Sequence, residues 1–272
     1  GFGSDMGAEK FMHIKAANSG KAPDCVVMNV TIRSMKLHGG AFGSRGGYRP
    51  SKEELEAEDV EAVIRGAQGN LDRHIKNMAG FGMPVLVSIN RFHSDTDEEL
   101  EALKREAQKS GAVHVALTEV HSNGGQGGED LAKAVVSAVQ DHVANGRPFT
   151  PLFTKEVPLL EKMEAIATRI YKAEGVEVSA SAMKQLSKFQ AWGYGHLPVC
   201  MAKTQYSFSH DPGKLGAPVG FTIPVREFRL NAGAGFIVAV LGNMMTMPGL
   251  PKRPAALDMD MDEEGRLTGV FG

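Results

Sequence analysis

The stretch Met83-Pro-Val-Leu-Val-Ser-Ile-Asn-Arg-Phe-His-Ser-Asp-Thr96 decides the fold of this chain. It opens with a short apolar run rich in β-branched residues and then turns abruptly polar, which is typical of a strand buried on both faces of a parallel sheet. Acidic residues and a leucine follow Thr96, and this pattern predicts a helix start. Residues 90–95 are therefore predicted to form a loop at the carboxyl end of a buried strand, where open α/β sheets bind their ligands.

Similar units of strand, loop and helix flank this strand. Residues 24–32 predict a buried strand that ends in a basic, histidine-bearing loop over residues 33–40. Residues 113–117 predict a third strand, with an exit loop over residues 118–128. Helical patterns cover residues 7–14, 51–82 (as one long helix), 97–110 and 130–145. The alternation predicts an α/β fold with a parallel sheet flanked by helices.

The second part of the chain has a different pattern. A proline-containing connector at residues 148–152 precedes it. Helices are predicted at residues 159–171 and 179–192, and strands at residues 197–203, 221–230 and 235–242. We therefore expect two domains: a parallel α/β part over residues 1–147, and a smaller C-terminal α+β domain over residues 148–272.

Composition excludes several classes of protein. The 272 residues are 42% hydrophobic and 23% charged with a net charge of -2, which favours neither nucleic acid nor an anionic membrane as partner. Cys25 and Cys200 lie in apolar runs and are expected to be buried, reduced thiols. No run approaches the ~20 apolar residues of a membrane span, and no signal pattern follows Gly1. We expect a cytoplasmic location and a natural chain that begins upstream of Gly1.

The exit loop of the central strand carries the most informative side chain. Asn90-Arg91-Phe92-His93 stands where GTPases carry Asn-Lys-x-Asp, but the carboxylate that binds guanine is missing. The sequence thus argues against a GTPase, although the position suits a nucleotide or another flat heterocycle. Phe92 is either a stacking platform for such a ligand or a plug that folds back into the core.

Phosphate-binding and metal-binding motifs are sparse. The sequence contains no Gly-x-x-x-x-Gly-Lys-Ser/Thr loop. The glycine cluster at residues 124–128 precedes a predicted helix, so it is either an anion-binding turn or simply a flexible one. The nine histidines show no ligand spacing, and no nucleophile elbow occurs. We predict no metal site and no catalytic triad.

Several long motifs carry a family resemblance. They occupy residues 1–11, 36–40, 89–92, 193–207 and 245–251, and they include the run Lys203-Thr-Gln-Tyr-Ser-Phe-Ser209. In this order they resemble formate–tetrahydrofolate ligase, also called 10-formyltetrahydrofolate synthetase. The resemblance runs from the first residue to the C-terminus and implies that the chain corresponds to about the C-terminal half of a family member.

The resemblance implies a reaction and its substrates. Such enzymes join formate to N10 of tetrahydrofolate: ATP with Mg²⁺ phosphorylates formate to formyl phosphate, the folate amine attacks the formyl carbon, and phosphate leaves. A monovalent cation and a homotetrameric, and thus homo-oligomeric, assembly are further expectations. The resemblance implies that the parallel sheet and its flanking helices form a layer similar to that of P-loop NTPases. Its P-loop would belong to the missing N-terminal half, in the same chain or a companion chain.

The resemblance also implies residue roles. Phe92 would stack on the pterin, and Leu117 would line the same pocket. The family usually continues Glu-Val-Trp after this leucine, so that His121 stands where a second stacking aromatic is expected. This departure and the absent P-loop keep an alternative open, a non-catalytic binding or scaffold module that retained the fold.

The nucleotide side of the site is implied by two further motifs. One is the glycine-rich turn at the N-terminus, and the other is the loop near the C-terminus that would lie beside the adenine. The expected nucleotide-binding residues are Phe2, Met247, Pro248 and Gly249.

Overall fold

The computed structural model describes residues 4–43, 50–146, 148–242, 254–261, 263 and 267–268. The chain divides into two compact units, Gly1–Gly242 and Asn243–Gly272. The domain boundary predicted between residues 147 and 148 falls within the first unit and stays a prediction. In the second unit, a short 3-10 helix at Ala255–Asp258 precedes an antiparallel pair formed by Asp260–Met261 and Leu267–Thr268.

The first sheet is parallel, as the sequence predicts. Its strands are β1 (Val26–Val30), β2 (Val85–Asn90) and β3 (His114–Thr118), hydrogen-bonded in the order β1-β2-β3. The central strand β2 is buried from Val85 to Ile89, which agrees with its continuous apolar pattern. Val30 pairs with Ile89, and Ile89 pairs with Leu117, so the three carboxyl ends lie at one edge.

Helices accompany this sheet. A helical run begins the chain, with α-helical ends at Ser4–Lys10 and Ala17–Ser19 and a wider π-helix at Phe11–Ala16 between them. The helices that follow are Ile32–His38, Lys52–Glu56, Val60–Gly66, the π-helical Ala67–Leu71, Asp72–Ala79, Asp97–Lys109, Val120–Asn123, the 3-10 helix Gly124–Gly128 and Glu129–Ala144.

The predicted basic loop over residues 33–40 is wrong, because most of it forms the helix Ile32–His38. Thr31 starts the helix as a capping box: its Oγ1 accepts from the Ser34 N–H at 3.1 Å, and Ser34 Oγ accepts from the Thr31 N–H at 3.3 Å. Ile32 is fully buried, and so is the positively charged Lys36. The sequence pattern indicated a loop rather than a helix, because one buried position of this helix is occupied by a lysine instead of an apolar residue.

The single helix predicted over residues 51–82 is interrupted at residues 57–59. Ala57 is extended, with φ -63° and ψ 132°, and Asp59 caps the next helix by accepting from the Ala62 N–H at 2.9 Å. The Ala57 carbonyl accepts from Lys36 Nζ at 2.8 Å. The Asp59 N–H donates to Glu99 at 2.8 Å. The interruption is therefore stabilised by side chains from distant elements, which helical periodicity does not report.

The second sheet is mixed. Its strands are β4 (Gly175–Val178), β5 (Val199–Ala202), β6 (Thr222–Asn231) and β7 (Phe236–Leu241), in the order β4-β6-β7-β5. β6 and β7 are antiparallel, and the outer pairs are parallel. Its helices are Leu159–Ala165, the π-helical Ile166–Tyr171, Ala180–Ala191 and the 3-10 helix Tyr194–His196. The predicted helices and strands of this part are confirmed, whereas β4 was not predicted.

Both sheets contribute to one hydrophobic core within the first unit. The helix Asp72–Ala79 bridges them by hydrogen bonds as well. The Asn77 amide donates to the Ile170 carbonyl at 2.9 Å, and the Arg73 guanidinium donates to the Pro218 carbonyl at 2.7 Å. These polar contacts satisfy backbone carbonyls that would otherwise be buried without a donor.

Both cysteines are free thiols. Cys200 is buried as predicted, but Cys25 is partly exposed, because it precedes β1 rather than lying within it. Within the described ranges, no helix is both long enough and apolar enough to cross a membrane.

Candidate functional site

The exit loops of β2 and β3 are joined at the carboxyl edge of the first sheet. The Arg91 N–H donates to the Thr118 carbonyl at 3.1 Å, which continues the strand pairing by one residue. The Arg91 guanidinium lies 3.7 Å from the Glu119 carboxylate and 3.3 Å from Asp97 in the next helix. The loop that follows Arg91 is therefore anchored on both sides.

The loop that carries Phe92 is closed by Asp95. The Phe92 N–H donates to Asp95 Oδ2 at 2.8 Å, and the Asp95 N–H donates to the Phe92 carbonyl at 3.1 Å. Burial raises the pKa of Asp95, and the hydrogen bond from the Phe92 N–H opposes this rise. Phe92 itself remains partly exposed. The ring is therefore not fully enclosed by the core, and its role as a stacking platform stays a prediction.

The two other residues expected in the folate pocket lie on and after β3. Leu117 occupies the strand beside β2, and 40% of it is exposed although it is a large apolar residue. His121 is exposed in the short helix Val120–Asn123. The edge thus includes an aromatic residue in the loop after β2 and an aliphatic side chain on β3, with an imidazole in the following helix.

The glycine cluster after His121 is a packed turn. The Glu119 N–H donates to the Gly127 carbonyl at 3.0 Å. A Cβ at Gly127 would lie 2.5 Å from the Glu119 carbonyl carbon, so only glycine fits this close approach. The exit loop predicted for residues 118–128 therefore has defined helical turns that hold the His121 segment.

The expected nucleotide-binding residues Phe2, Met247, Pro248 and Gly249 lie outside the residues that the structure describes. Their roles stay predictions from the resemblance.

A buried ion pair joins the two helices that follow β1 and β2. Lys36 Nζ lies 2.7 Å from Glu99 Oε1, and the pair is closed off from water. Glu99 also takes part in the capping box of its own helix, where it accepts from the Thr96 N–H at 3.3 Å. Sequence reasoning missed this pair. A lysine within a helical apolar pattern and a glutamate at the third helical position are only weak signals of an ion pair.

A cavity of about 270 Å³ lies at β1, next to the helix Ile32–His38. Its walls include Asp5, Asn29, Ser34, His38, His74 and Tyr206. His38 Nδ1 accepts from the Gly216 N–H at 3.2 Å, and burial lowers the pKa of His38 to about 4. At neutral pH its Nε2 therefore carries the proton. The cavity has both polar and apolar walls and adjoins the carboxyl end of β1, so we include it in the candidate site.

The N-terminal helix adds two buried carboxyl side chains, Asp5 and Glu9, whose buried partners Lys203 and Tyr171 come from later in the chain; sequence reasoning also missed these contacts. Asp5 Oδ2 lies 2.6 Å from Lys203 Nζ. The Tyr171 hydroxyl donates to Glu9 Oε2 at 2.8 Å. Burial raises the pKa of Glu9 to about 7, although the nearby positive charge of Lys10 and the bond from Tyr171 lower it. Lys203 lies in one of the motifs that carry the resemblance. In the structure its ammonium group forms a buried ion pair with Asp5.

The described residues contain no group of three or more histidine, cysteine, aspartate or glutamate side chains placed to hold a metal ion. We therefore assign no metal ligand to the described part of the chain.

Comparison with known proteins identifies the family. The sequence model of the family described as formate–tetrahydrofolate ligase matches residues 1–271. The chain belongs to the formate–tetrahydrofolate ligase family. The resemblance deduced from the motifs is thereby confirmed.

Curated relatives named formate–tetrahydrofolate ligase align with the whole chain. The relative from Ruegeria sp. is 50% identical over 271 residues, which is 100% of this chain and 46% of that protein. Those from Paracoccus denitrificans and Leuconostoc citreum are each 48% identical, with the same shares of coverage. The chain thus spans about half the length of these formate–tetrahydrofolate ligases, which agrees with the expected partial match.

Proposed function

We propose that this chain supplies the folate-binding part of an ATP-dependent ligase that joins formate to N10 of tetrahydrofolate. The observation that carries this proposal is the partly exposed Phe92, which lies in the loop that Asp95 closes at the carboxyl edge of the sheet, where Leu117 is also exposed. Pterin is flat and would gain from burial and offset stacking on such a ring. The family name of the relatives supports the same substrate.

The proposed reaction has two steps. ATP transfers its γ-phosphate to a formate oxygen, giving formyl phosphate and ADP. The N10 amine of tetrahydrofolate then attacks the formyl carbon, the carbon–oxygen bond to phosphate breaks, and the amine loses its proton. The products are 10-formyltetrahydrofolate, ADP and phosphate. This chain would bind and orient the folate for the second step.

Phosphoryl transfer needs backbone donors, a lysine and Mg²⁺ around the transferred phosphate. These 272 residues contain no P-loop motif. We propose that the loop lies in residues other than these, in the same chain or a companion chain, and that residues 1–272 alone do not formylate tetrahydrofolate. By the same resemblance we propose a cytoplasmic homo-oligomer that a monovalent cation activates.

A non-catalytic folate-binding or scaffold module is the second candidate. The observation in its favour is His121, which stands where the family usually has tryptophan. Such a module could still bind folate, but adding the P-loop half of a relative would not restore formylation.

Titration of tetrahydrofolate into the wild-type chain and into Phe92→Ala tests the proposal. We expect the variant to bind about 1–3 kcal/mol more weakly, the scale of one lost stacked aromatic. Melting of both proteins serves as the control, because loss of a core plug would lower the melting temperature and leave the affinity of the folded fraction unchanged. Equal affinities, or no folate binding by the wild type, would contradict the proposal.

A further inference from the structure

Arg33 lies against the Phe92 ring. It follows β1 as the second residue of the helix Ile32–His38, and its guanidinium carbon lies 4.4 Å from the ring centroid. The two residues come from exit segments of neighbouring strands. This contact places a positive charge on one face of the ring that we propose as the pterin platform, at a distance typical of a cation–π pair.

Among the described residues, Arg33 has no hydrogen bond to its Nε atom, whereas the arginines of the neighbouring segments have polar partners. This Nε atom is shielded from solvent. Arg91, by contrast, pairs with Asp97 and Glu119, and Arg73 donates to backbone carbonyls. A guanidinium offers five N–H donors in a planar fork, and a shielded donor without a partner is uncommon in folded proteins.

Two acidic groups of the neighbouring β2 exit segment and its helix are engaged elsewhere. Burial raises the pKa of Asp95, and the positive charge of Arg33 partly opposes this rise. The Asp95 carboxylate, however, accepts from the Phe92 N–H at 2.8 Å. Glu99 is paired with Lys36 at 2.7 Å. A guanidinium that forms no ion pair with the described residues and lies beside an open sheet edge is therefore a suitable receptor for an oxyanion, which it binds through two parallel N–H···O bonds.

We propose that Arg33 binds an oxyanion of the substrate while its guanidinium rests on the Phe92 ring. This inference rests on the proposed function. Arg33 covers one face of the ring and leaves the other face to the pterin. The oxyanion has two sources in the proposed reaction: the glutamate carboxylates of tetrahydrofolate, and the phosphate of the acyl phosphate. Both have the geometry that a guanidinium fork accepts.

The test uses three probes on the wild-type chain, Arg33→Met and Arg33→Lys. The probes are tetrahydrofolate, the primary amide of tetrahydropteroate (which lacks the glutamate and carries no carboxylate) and inorganic phosphate. Methionine keeps apolar cover on the ring without charge or donors, and lysine keeps the charge without the fork. Arg105→Met is the matched control, because Arg105 is an exposed arginine of the helix Asp97–Lys109.

If the glutamate is the source, we expect Arg33→Met to weaken tetrahydrofolate binding by about tenfold or more, the scale of a lost charge-assisted pair, and to leave binding of the tetrahydropteroate amide unchanged. If the phosphate is the source, both folates bind as before and phosphate binding is lost. In either case Arg33→Lys should retain part of the affinity that Arg33→Met loses. Arg105→Met should bind all three probes as the wild type does. A merely structural role would instead lower the melting temperature and weaken all probes equally in both Arg33 variants.

Unchanged binding of all three probes by Arg33→Met, or an equal loss for all three, would overturn the inference. Failure of the proposed function looks different, since the wild type would then bind neither folate. A wild type that binds tetrahydrofolate through Phe92 but is insensitive at Arg33 would leave the proposed function intact and remove this inference alone.

Discussion

The Lys36 ammonium lies 2.7 Å from the Glu99 carboxylate, and neither side chain is more than 1% exposed. The pair joins the helix after β1 to the helix after β2. Its remaining hydrogen bonds go to the backbone at residues 55, 57, 59 and 96, so both charges are well satisfied. The pair therefore determines how the segment between β1 and β2 packs behind the loop that carries Phe92.

Removing one charge of this pair is expected to destabilise the chain strongly. Lys36→Met leaves the Glu99 carboxylate buried without its counter-ion, and we expect a loss of about 3–5 kcal/mol in the free energy of unfolding. The double variant Lys36→Met with Glu99→Met should lose less, because no isolated charge remains. Urea denaturation measures both. The control is Lys76→Met, which removes an exposed pair with Asp72 at 2.8 Å and should cost at most about 1 kcal/mol.

Glu9 is expected to make stability fall as the pH rises through neutrality. Its pKa is about 7 in the folded chain and 4.5 in the reference state, so below pH 4.5 the carboxyl is neutral in both states and costs nothing. Between pH 4.5 and 7 only the unfolded chain ionises, which favours unfolding by about 3 kcal/mol once the pH exceeds 7. Glu9→Gln keeps an amide beside Tyr171 and cannot ionise.

Urea unfolding of wild type and Glu9→Gln at pH 5 and pH 8 checks this window. The variant should gain roughly 2–3 kcal/mol on the wild type between the two pH values. A difference between the proteins that stays constant with pH would show that Glu9 does not titrate there.

His13 is expected to destabilise the chain in acid. It packs between Phe81 and Phe153, with ring centroids 5.6 Å and 4.8 Å away, and neither ring nitrogen has a hydrogen-bond partner among the described residues. Burial lowers the pKa of His13 from 6.5 to about 4. Its contribution to stability is therefore complete above pH 6.5 and is lost progressively as the pH falls to 4, by about 3 kcal/mol.

His13→Leu should remove this part of the acid sensitivity, because leucine fills the space without a proton-binding site. Thermal melting at pH 7.5 and pH 4.5 measures the effect, and the control is His142→Leu in the helix Glu129–Ala144. If His13→Leu loses as much stability on acidification as the wild type, the acid sensitivity does not arise at His13.

Replacing His121 by tryptophan is expected to tighten folate binding. An imidazole covers less of a pterin face than an indole, and His121 is exposed in the helix Val120–Asn123, so the larger ring meets no obstacle in the interior. We expect a gain of about 1 kcal/mol, the middle of the range for an added aromatic pair. Fluorescence titration with tetrahydrofolate checks it.

The matched control is Ser122→Trp, which places the same indole one residue further along the same exposed helix. If His121→Trp binds folate no more tightly than wild type, or no more tightly than Ser122→Trp, then His121 does not face the pterin.

The sequence alone determined the family and most of the local elements, although not the helix Ile32–His38, the break at residues 57–59 or β4. The apolar run of β2 and the polar residues that follow it identified both the strand and its exit loop, because burial on two faces leaves a continuous apolar pattern. The same kind of local sequence pattern predicted that Phe92 follows the end of β2 and that Leu117 lies at the end of β3. The long motifs then identified the family, since their order along the chain is itself sequence information.

Only the tertiary structure decided the polar pairs of the interior and the contact at the site. Lys36 with Glu99, Asp5 with Lys203, Glu9 with Tyr171 and Arg33 with Phe92 all join residues that are distant along the chain. Periodicity reports which face of one element is buried, but it does not report which charge of another element meets it there. For this reason the pattern around Lys36 indicated a loop, whereas the fold buries that lysine in a helix and pairs it with Glu99.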